Sequence, residues 1–476
     1  MDIYPRHQNR RHLPQVAVIM VPLPLQGHLN QLLHLSHLIA ANQIPVYYVS
    51  SGSHIRQAKH RLHGWDPQTS AKIHFHHFQL PEFHSPPPTP NAENNFPAHL
   101  QSLIDASSVL RQPVSQLLAE LSPRFRRIII IHDSLMGSVV QDVKSISNAE
   151  SYGFHTSSAF TLFFFLLEML EIPFLLDSDI PESVPSNEGC YTSAFAEFME
   201  KQYKFCNLDS GRLYNTSRVI EGRYMDLLEK LPLNSGKKLH AIGPLNPHVI
   251  TTRSIKCEGR CLEWLDRQGK DSVIYVSFGT TTSMNDEQIK ELAIGLQNSE
   301  QKFIWAFRDA DKSDQFTSEG GEAAAEAERR DRLPEGYEKA VEERGVVVKG
   351  WAPQVEILGH PSTGGFLSHC GWNSCMESLS LGVPIAAWPM HSDQPKNTVL
   401  VTEVLKVGIV VKDWSCRNEV ITALMVENAV RRLMASKEGD VMRERAKNLG
   451  IALRKSASEG GTSGLEMDSF IAHITR

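Results

Sequence analysis

The sequence predicts an α/β protein made of two doubly wound parallel sheets facing each other across a cleft. Short β-branched runs alternate with stretches of helical periodicity, which is how a parallel sheet covered on both faces reads. That alternation restarts after Gly243-Pro244-Leu245-Asn246-Pro247. A chain of 476 residues, 41% of them hydrophobic, also exceeds what one core accommodates.

In the first half the pattern predicts strand Val16–Val21, helix Leu29–Ala40, strand Val46–Val49, helix Ile55–Leu62, strand Ile128–Ile131 and a helical stretch Val139–Ile146. In the second half it predicts strand Val273–Phe278, helix Asp286–Gln297 and strands Phe303–Phe307, Val346–Lys349, Gly365–Ser368 and Pro384–Trp388. The resulting parse is an N-terminal domain over 1–245, a linker over 246–256, a second domain over 257–455 and a last helical segment over 456–476. The pentapeptide Gly460-Gly461-Thr462-Ser463-Gly464 introduces that segment, an amphipathic helix over Leu465–Ile474, expected to pack back on the N-terminal domain. The Pro-rich tract His84–Pro90 and the acidic segment Asp309–Arg332 read as surface loops.

Composition narrows the function. The chain has 48 basic and 54 acidic residues, a net charge of −6, with both signs scattered. Neither nucleic acid nor an anionic membrane is therefore an expected partner. The apolar run Val16–Leu25 contains two prolines and leads into Gln26-Gly27-His28, so it reads as a buried strand, not a signal peptide. Glu168, Glu171 and Pro173 interrupt Ala159–Leu176, which reads as a buried helix or pocket wall. Seven cysteines without framework spacing fit a reducing cytoplasm, and a monomer is expected. Cys257 with Cys261, and His369-Cys370 with Cys375, lack a second pair at zinc-site spacing, so no metal is expected. Other classes lack their loops: the sequence has no Gly-x-Gly-x-x-Gly, no Gly-x4-Gly-Lys and no Gly-x-Ser-x-Gly.

In a doubly wound fold the ligand crevice lies beyond the carboxyl ends of the strands. Several polar clusters sit there. His28 follows the first strand, and its near-neutral pKa suits a general base. Asp133 follows Ile128–Ile131. In the second half, Ser277-Phe-Gly-Thr-Thr-Thr282 follows a strand, as does His369-Cys-Gly-Trp-Asn-Ser374. Gly371 there permits a tight turn, and a helix beginning near Asn373 or Ser374 could hold a diphosphate on its free amides. A plain capping box, Ser374 with Glu377, reads the same residues without a ligand. The loop at 277–282 could likewise be a βα turn capped by Asn285 with Gln288. Trp351 and Trp372 could be ordinary core.

The run Trp351-Ala-Pro-Gln354, His369 to Ser374, Glu377 and Trp388-Pro-Met-His-Ser-Asp393-Gln394 resembles the donor-binding box of plant UDP-glycosyltransferases almost position for position. The resemblance extends over nearly the whole chain, in particular to the zeatin O-glucosyltransferase and O-xylosyltransferase group. Gly27-His28-Leu-Asn-Gln31, His54 to Lys59, Ile131 to Gly137 and Phe278 to Ser283 also look like that group.

The resemblance implies an inverting enzyme of GT-B fold, with a UDP-sugar as co-substrate and no metal or other cofactor. It implies that Trp351 stacks on uracil, that Ala352 meets the base edge through its backbone, and that Gln354 and Glu377 bind the ribose. His369, Asn373, Ser374 and Thr280 would hold the diphosphate; Trp372, Asp393 and Gln394 would grip the sugar, with Gln394 favouring glucose over xylose. His28 would be the base, oriented by Asp133. Asp177-Ser-Asp179 and Asp309-Ala-Asp311 match the metal-binding D-x-D pattern but lie in loops, and are read as chance. The acceptor pocket is expected near His84, Asn94, Phe160, Phe163 and Phe164. The expected acceptor is the side-chain hydroxyl of the cytokinin zeatin; a flavonoid or other phenol, linked through oxygen or carbon, and a non-catalytic nucleotide-sugar-binding protein are the alternatives.

Overall fold

A computed structural model of the chain describes residues 15–60, 65–81, 83, 86, 96–172, 181, 184–246, 259–308, 310 and 332–476. Seven strands form the first sheet: β1 (Val16–Val21), β2 (Val46–Ser51), β3 (Ile73–Phe78), β4 (Arg127–Asp133), β5 (Ala149–His155), β6 (Gly211–Tyr214) and β7 (Lys238–Ala241). Their order is β3-β2-β1-β4-β5-β6-β7, all parallel. The second sheet holds β8 (Val273–Ser277), β9 (Lys302–Ala306), β10 (Gly345–Val348), β11 (Thr363–Ser368), β12 (Ile385–Ala387) and β13 (Gly408–Val410). It is parallel too, in the order β10-β9-β8-β11-β12-β13.

Period-two alternation explains how both faces become buried. Ala17, Ile19, Val21, Ile128 and Ile130 point into one apolar cluster, while Val18, Met20, Ile129 and Ile131 point into another. The second cluster also contains Leu29, Leu32 and Leu33 of helix Gln26–Ala41, and Phe470 and Ile474 of the final helix, Thr462–Ile474. The end of the chain therefore covers the first sheet, and Arg127 donates to the carbonyls of His473 (2.7 Å) and Ile474 (3.1 Å). The first cluster runs on into the second half through Trp372, Cys375, Phe366 and Ile385, so a continuous core joins the two sheets.

Each strand order reverses direction at one place: between β1 and β4 in the first sheet, and between β8 and β11 in the second. Crevices open at such points because the connections on either side leave toward opposite faces. His28 and Asp133 follow or end the first pair; Thr280 and His369 follow the second.

Two local expectations are corrected. The stretch after β4 forms two 3-10 segments, Ser134–Val139 and Gln141–Ser145, in place of an α-helix over Val139–Ile146. The valine-rich sequence is a poor helix former, and Gly137 lies so close to Gln202 that an added Cβ would stand 2.9 Å from its carbonyl oxygen. The turn after β11 does need Gly371, where an added Cβ would come 2.5 Å from His369 Nε2, and its left-handed residue is Cys370 (φ 63°). Helix Trp372–Leu381 starts from Gly371, so Ser374 lies inside it and makes no capping box with Glu377. Asn285, by contrast, does cap helix Asp286–Asn298, accepting from the Gln288 amide at 2.8 Å, while the Gln288 side chain pairs with Ile421.

Candidate active site

Pro22 and Pro24 end β1, since neither supplies the amide a ladder needs, and helix Gln26–Ala41 begins at once. His28 thus occupies the first turn of a helix at the mouth of the sheet. Asp133 is the last residue of the neighbouring strand β4, wholly buried, and its Oδ1 accepts from the Leu135 amide at 2.9 Å. Its other oxygen, Oδ2, stands 2.6 Å from His28 Nδ1. Thr156, just past β5, places its hydroxyl 3.2 Å from the same nitrogen. The His28 side chain keeps 21% exposure. Burial opposes charge on the ring, but the charge and hydrogen bond of Asp133, with a smaller contribution from Asp393, outweigh it and hold the pKa above the usual 6.5.

The second domain supplies the opposite wall. Trp351 is 52% exposed, with the Arg308 guanidinium 5.7 Å from its ring centroid, whereas Trp372 is buried at 2%. One tryptophan is therefore a surface platform and the other is core. Ala352 is buried beside Trp351. Gln354 donates to Ser374 Oγ (3.0 Å) and Glu377 Oε2 (2.7 Å), gathering three polar side chains. His369 is enclosed by two glycines: an added Cβ would come 2.7 Å from its Nε2 at Gly279 and 2.5 Å at Gly371. Burial pushes His369 down to about 4, so the ring is neutral near pH 7. The amides of Trp372, Asn373 and Ser374 precede the first intrahelical bond, from Cys375 to the Gly371 carbonyl (3.0 Å), and present a site for an anion. Thr280 lies half-buried in the loop after β8.

Three residues expected at the sugar or the phosphate also make contacts within the protein. The Trp372 indole N–H donates to the Asn215 carbonyl at 2.8 Å, so this side chain pins the two domains and does not offer its N–H to a sugar. The Asn373 side chain also bridges the domains, donating to the Gly27 carbonyl at 2.7 Å and accepting from Gln31. Gln394 is buried, and its Oε1 accepts from the amides of Met390 (2.8 Å) and His391 (3.0 Å), bracing the loop that carries Asp393. Asp393 itself is held up to about 6 by burial, against the bond it accepts from Asn397 (3.0 Å) and the charge of His28.

On the acceptor side, Ser158 caps helix Ala159–Met169. Phe160 and Phe163 are packed inside the core rather than lining an open wall, and Phe164 is the one of the three that stays half-buried. His84 and Asn94 lie outside the described residues, as do Asp177, Asp179, Asp309 and Cys257. Among the described residues no group of three or more His, Cys, Asp or Glu side chains is placed to hold a metal ion. No helix among them is long and apolar enough to cross a membrane. Thr156, Gln31 and Asn397 were not singled out by the sequence. Only Gln31 left a trace, in the run Gly27 to Gln31; hydroxyls and amides elsewhere give no periodic signal.

Residues 14–247 match the family model "Glycosyltransferase, N-terminal domain", and residues 249–445 match "UDP-glucoronosyl and UDP-glucosyl transferase". The chain is 54% identical over 466 residues to zeatin O-glucosyltransferase of Phaseolus lunatus, covering 98% of each. It is 52% identical over 463 residues to zeatin O-xylosyltransferase of Phaseolus vulgaris, covering 97% of this chain and 98% of that one. The crystal structure of a UGT transferase from Siraitia grosvenorii in complex with UDP superposes with a TM-score of 0.76 at 29% identity, over 97% of this chain and all of that one. With a reversed strand order in each sheet and both halves matched by family models, the chain belongs to the UDP-glycosyltransferase family.

Proposed function

We propose that the protein transfers glucose or xylose from its UDP conjugate to the side-chain hydroxyl of zeatin, with inversion at the anomeric carbon and without a metal cofactor. The observation behind the chemistry is the 2.6 Å bond between His28 Nδ1 and Asp133 Oδ2. A proton donated along that bond leaves the ring's lone pair on Nε2, the tautomer a base requires, and the buried carboxylate stabilises the imidazolium that forms. His28 then takes the acceptor hydroxyl proton as the oxygen attacks the anomeric carbon opposite the leaving phosphate. The transition state resembles an oxocarbenium ion.

Charge developing on the diphosphate would be met by the first amides of helix Trp372–Leu381, the Ser374 and Thr280 hydroxyls and an N–H of neutral His369. Donors fixed in advance do the work a cation would otherwise do. Exposed Trp351 offers a face for uracil, and the Gln354–Glu377 pair offers a carboxylate and an amide for the ribose hydroxyls. Asp393, whose charge reaches His28, would take the sugar hydroxyls. The acceptor and the two sugars are those named for the Phaseolus relatives.

Purified protein incubated with UDP-glucose or UDP-xylose and zeatin isomers, beside a flavonoid panel, tests this by mass spectrometry. A hexosyl or pentosyl zeatin as the dominant product is expected; transfer to flavonoids alone would reject the acceptor.

A further inference from the structure

Asn397 belongs to none of the motifs above, yet every hydrogen-bonding capacity of its side chain is used. A carboxamide has two acceptor lone pairs and two N–H donors. Here Oδ1 accepts from Ser158 Oγ at 2.7 Å and Thr161 Oγ1 at 2.9 Å. Nδ2 donates to the Cys370 carbonyl at 3.0 Å and to Asp393 Oδ2 at 3.0 Å. The residue is 0% exposed. A buried amide with these four partners admits one orientation, since rotating it would set its oxygen against the Cys370 carbonyl and the Asp393 carboxylate, acceptor against acceptor.

The four partners come from both domains. Ser158 and Thr161 form the first turn of the helix that bears Phe164 in the N-terminal domain. Cys370, held at φ 63°, and Asp393 lie in the loops that follow β11 and β12 in the C-terminal half. We propose that Asn397 is a positioning residue for sugar transfer: it aims the Asp393 carboxylate at the donor sugar and ties that aim to the acceptor-side helix. This rests on the reading that Asp393 meets the sugar. No other side chain of this length supplies both arms, because aspartate lacks the donors and leucine lacks all four groups.

The N–H from Asn397 also favours the charged form of Asp393, which burial otherwise disfavours. The titratable groups around that carboxylate are His28, Cys190, Tyr191 and Cys375. The isosteric Asn397→Asp variant would set a second carboxyl against Asp393, and two carboxyls sharing a site cannot both ionise easily.

The test is steady-state kinetics of Asn397→Asp with UDP-glucose and zeatin, alone and combined with Asp393→Asn, with UDP affinity measured by calorimetry. For Asn397→Asp we expect kcat lowered about tenfold or more, a raised KM for UDP-glucose, an acid limb moved to higher pH and UDP affinity within about twofold of the parent. Added to Asp393→Asn, it should cause no further loss, because it acts through Asp393. Parental kinetics and pH profile in Asn397→Asp, or losses that multiply in the double variant, would overturn the proposal. A donor KM unchanged by Asp393→Asn alone would instead overturn the reading on which it rests. If Asn397→Asp does not fold, Thr161→Val removes one arm while keeping shape. A several-fold lower kcat at unchanged UDP affinity supports the coupling, and parental kcat and KM overturn it.

Discussion

Gly371 and Gly279 both border the His369 imidazole, each so near that a single added carbon would come within 2.7 Å of Nε2. The ring is thereby fixed by its neighbours' lack of side chains. Gly371→Ala should push it out of place, and Gly279→Ala should do so with added backbone strain, since Gly279 has φ +76°. Losing one hydrogen bond to a charged diphosphate predicts UDP binding weaker by about tenfold or more. Calorimetry with UDP checks it; unaltered affinity in both variants would remove His369 from the phosphate site.

Trp351→Ala should weaken UDP binding by about 1–3 kcal/mol, the usual cost of a lost base-stacking face. The prediction depends on the indole's being 52% exposed rather than buried like Trp372. Titration calorimetry decides, and a change below experimental error would rule out stacking.

The pH dependence of kcat/KM follows from the state of His28. A base works only unprotonated, so activity should fall as pH drops through a pKa above 6.5. Asp133→Asn removes the largest raising influence and leaves burial in place, so its acid limb should move to lower pH. The same variant should lose turnover by up to about 10⁴-fold, by the wrong-tautomer argument, with UDP affinity nearly intact. An acid limb that stays put would mean that another group governs it.

Chelation should leave turnover unchanged, because the diphosphate charge is assigned to amides, hydroxyls and a neutral imidazole. Assay in excess EDTA tests this, and activity restored only by added divalent cation would replace the account with a metal-dependent one.

The parts of this architecture legible in the sequence are those where one physical signal dominates. Ile128–Ile131 and Val16–Val21 announce strands because both faces of a parallel sheet are buried. β5, reading Ala-Glu-Ser-Tyr-Gly-Phe-His, escapes notice: Ser151 and His155 serve buried polar contacts and Gly153 packs against Asp209, so the apolar pattern is broken. β6 and β7 have four residues each, too few for periodicity to speak. At the site, residue types and strand ends pointed to His28 and Asp133, and the structure brings them together. What the sequence could not give was direction. Trp372, Asn373 and Gln394 look like ligand groups by type, and only the structure shows that their side chains also brace the domains or a loop. Asn397 is invisible without coordinates because its four partners are separated by up to 239 positions.

The most direct test of the central claim is turnover and UDP binding measured side by side in His28→Ala. With His28 as the base and the nucleotide cradle built wholly from the opposite domain, turnover should fall on the order of 10²- to 10⁴-fold, with UDP affinity essentially that of the parent. Turnover persisting at the parental rate in a variant that still binds UDP would contradict it.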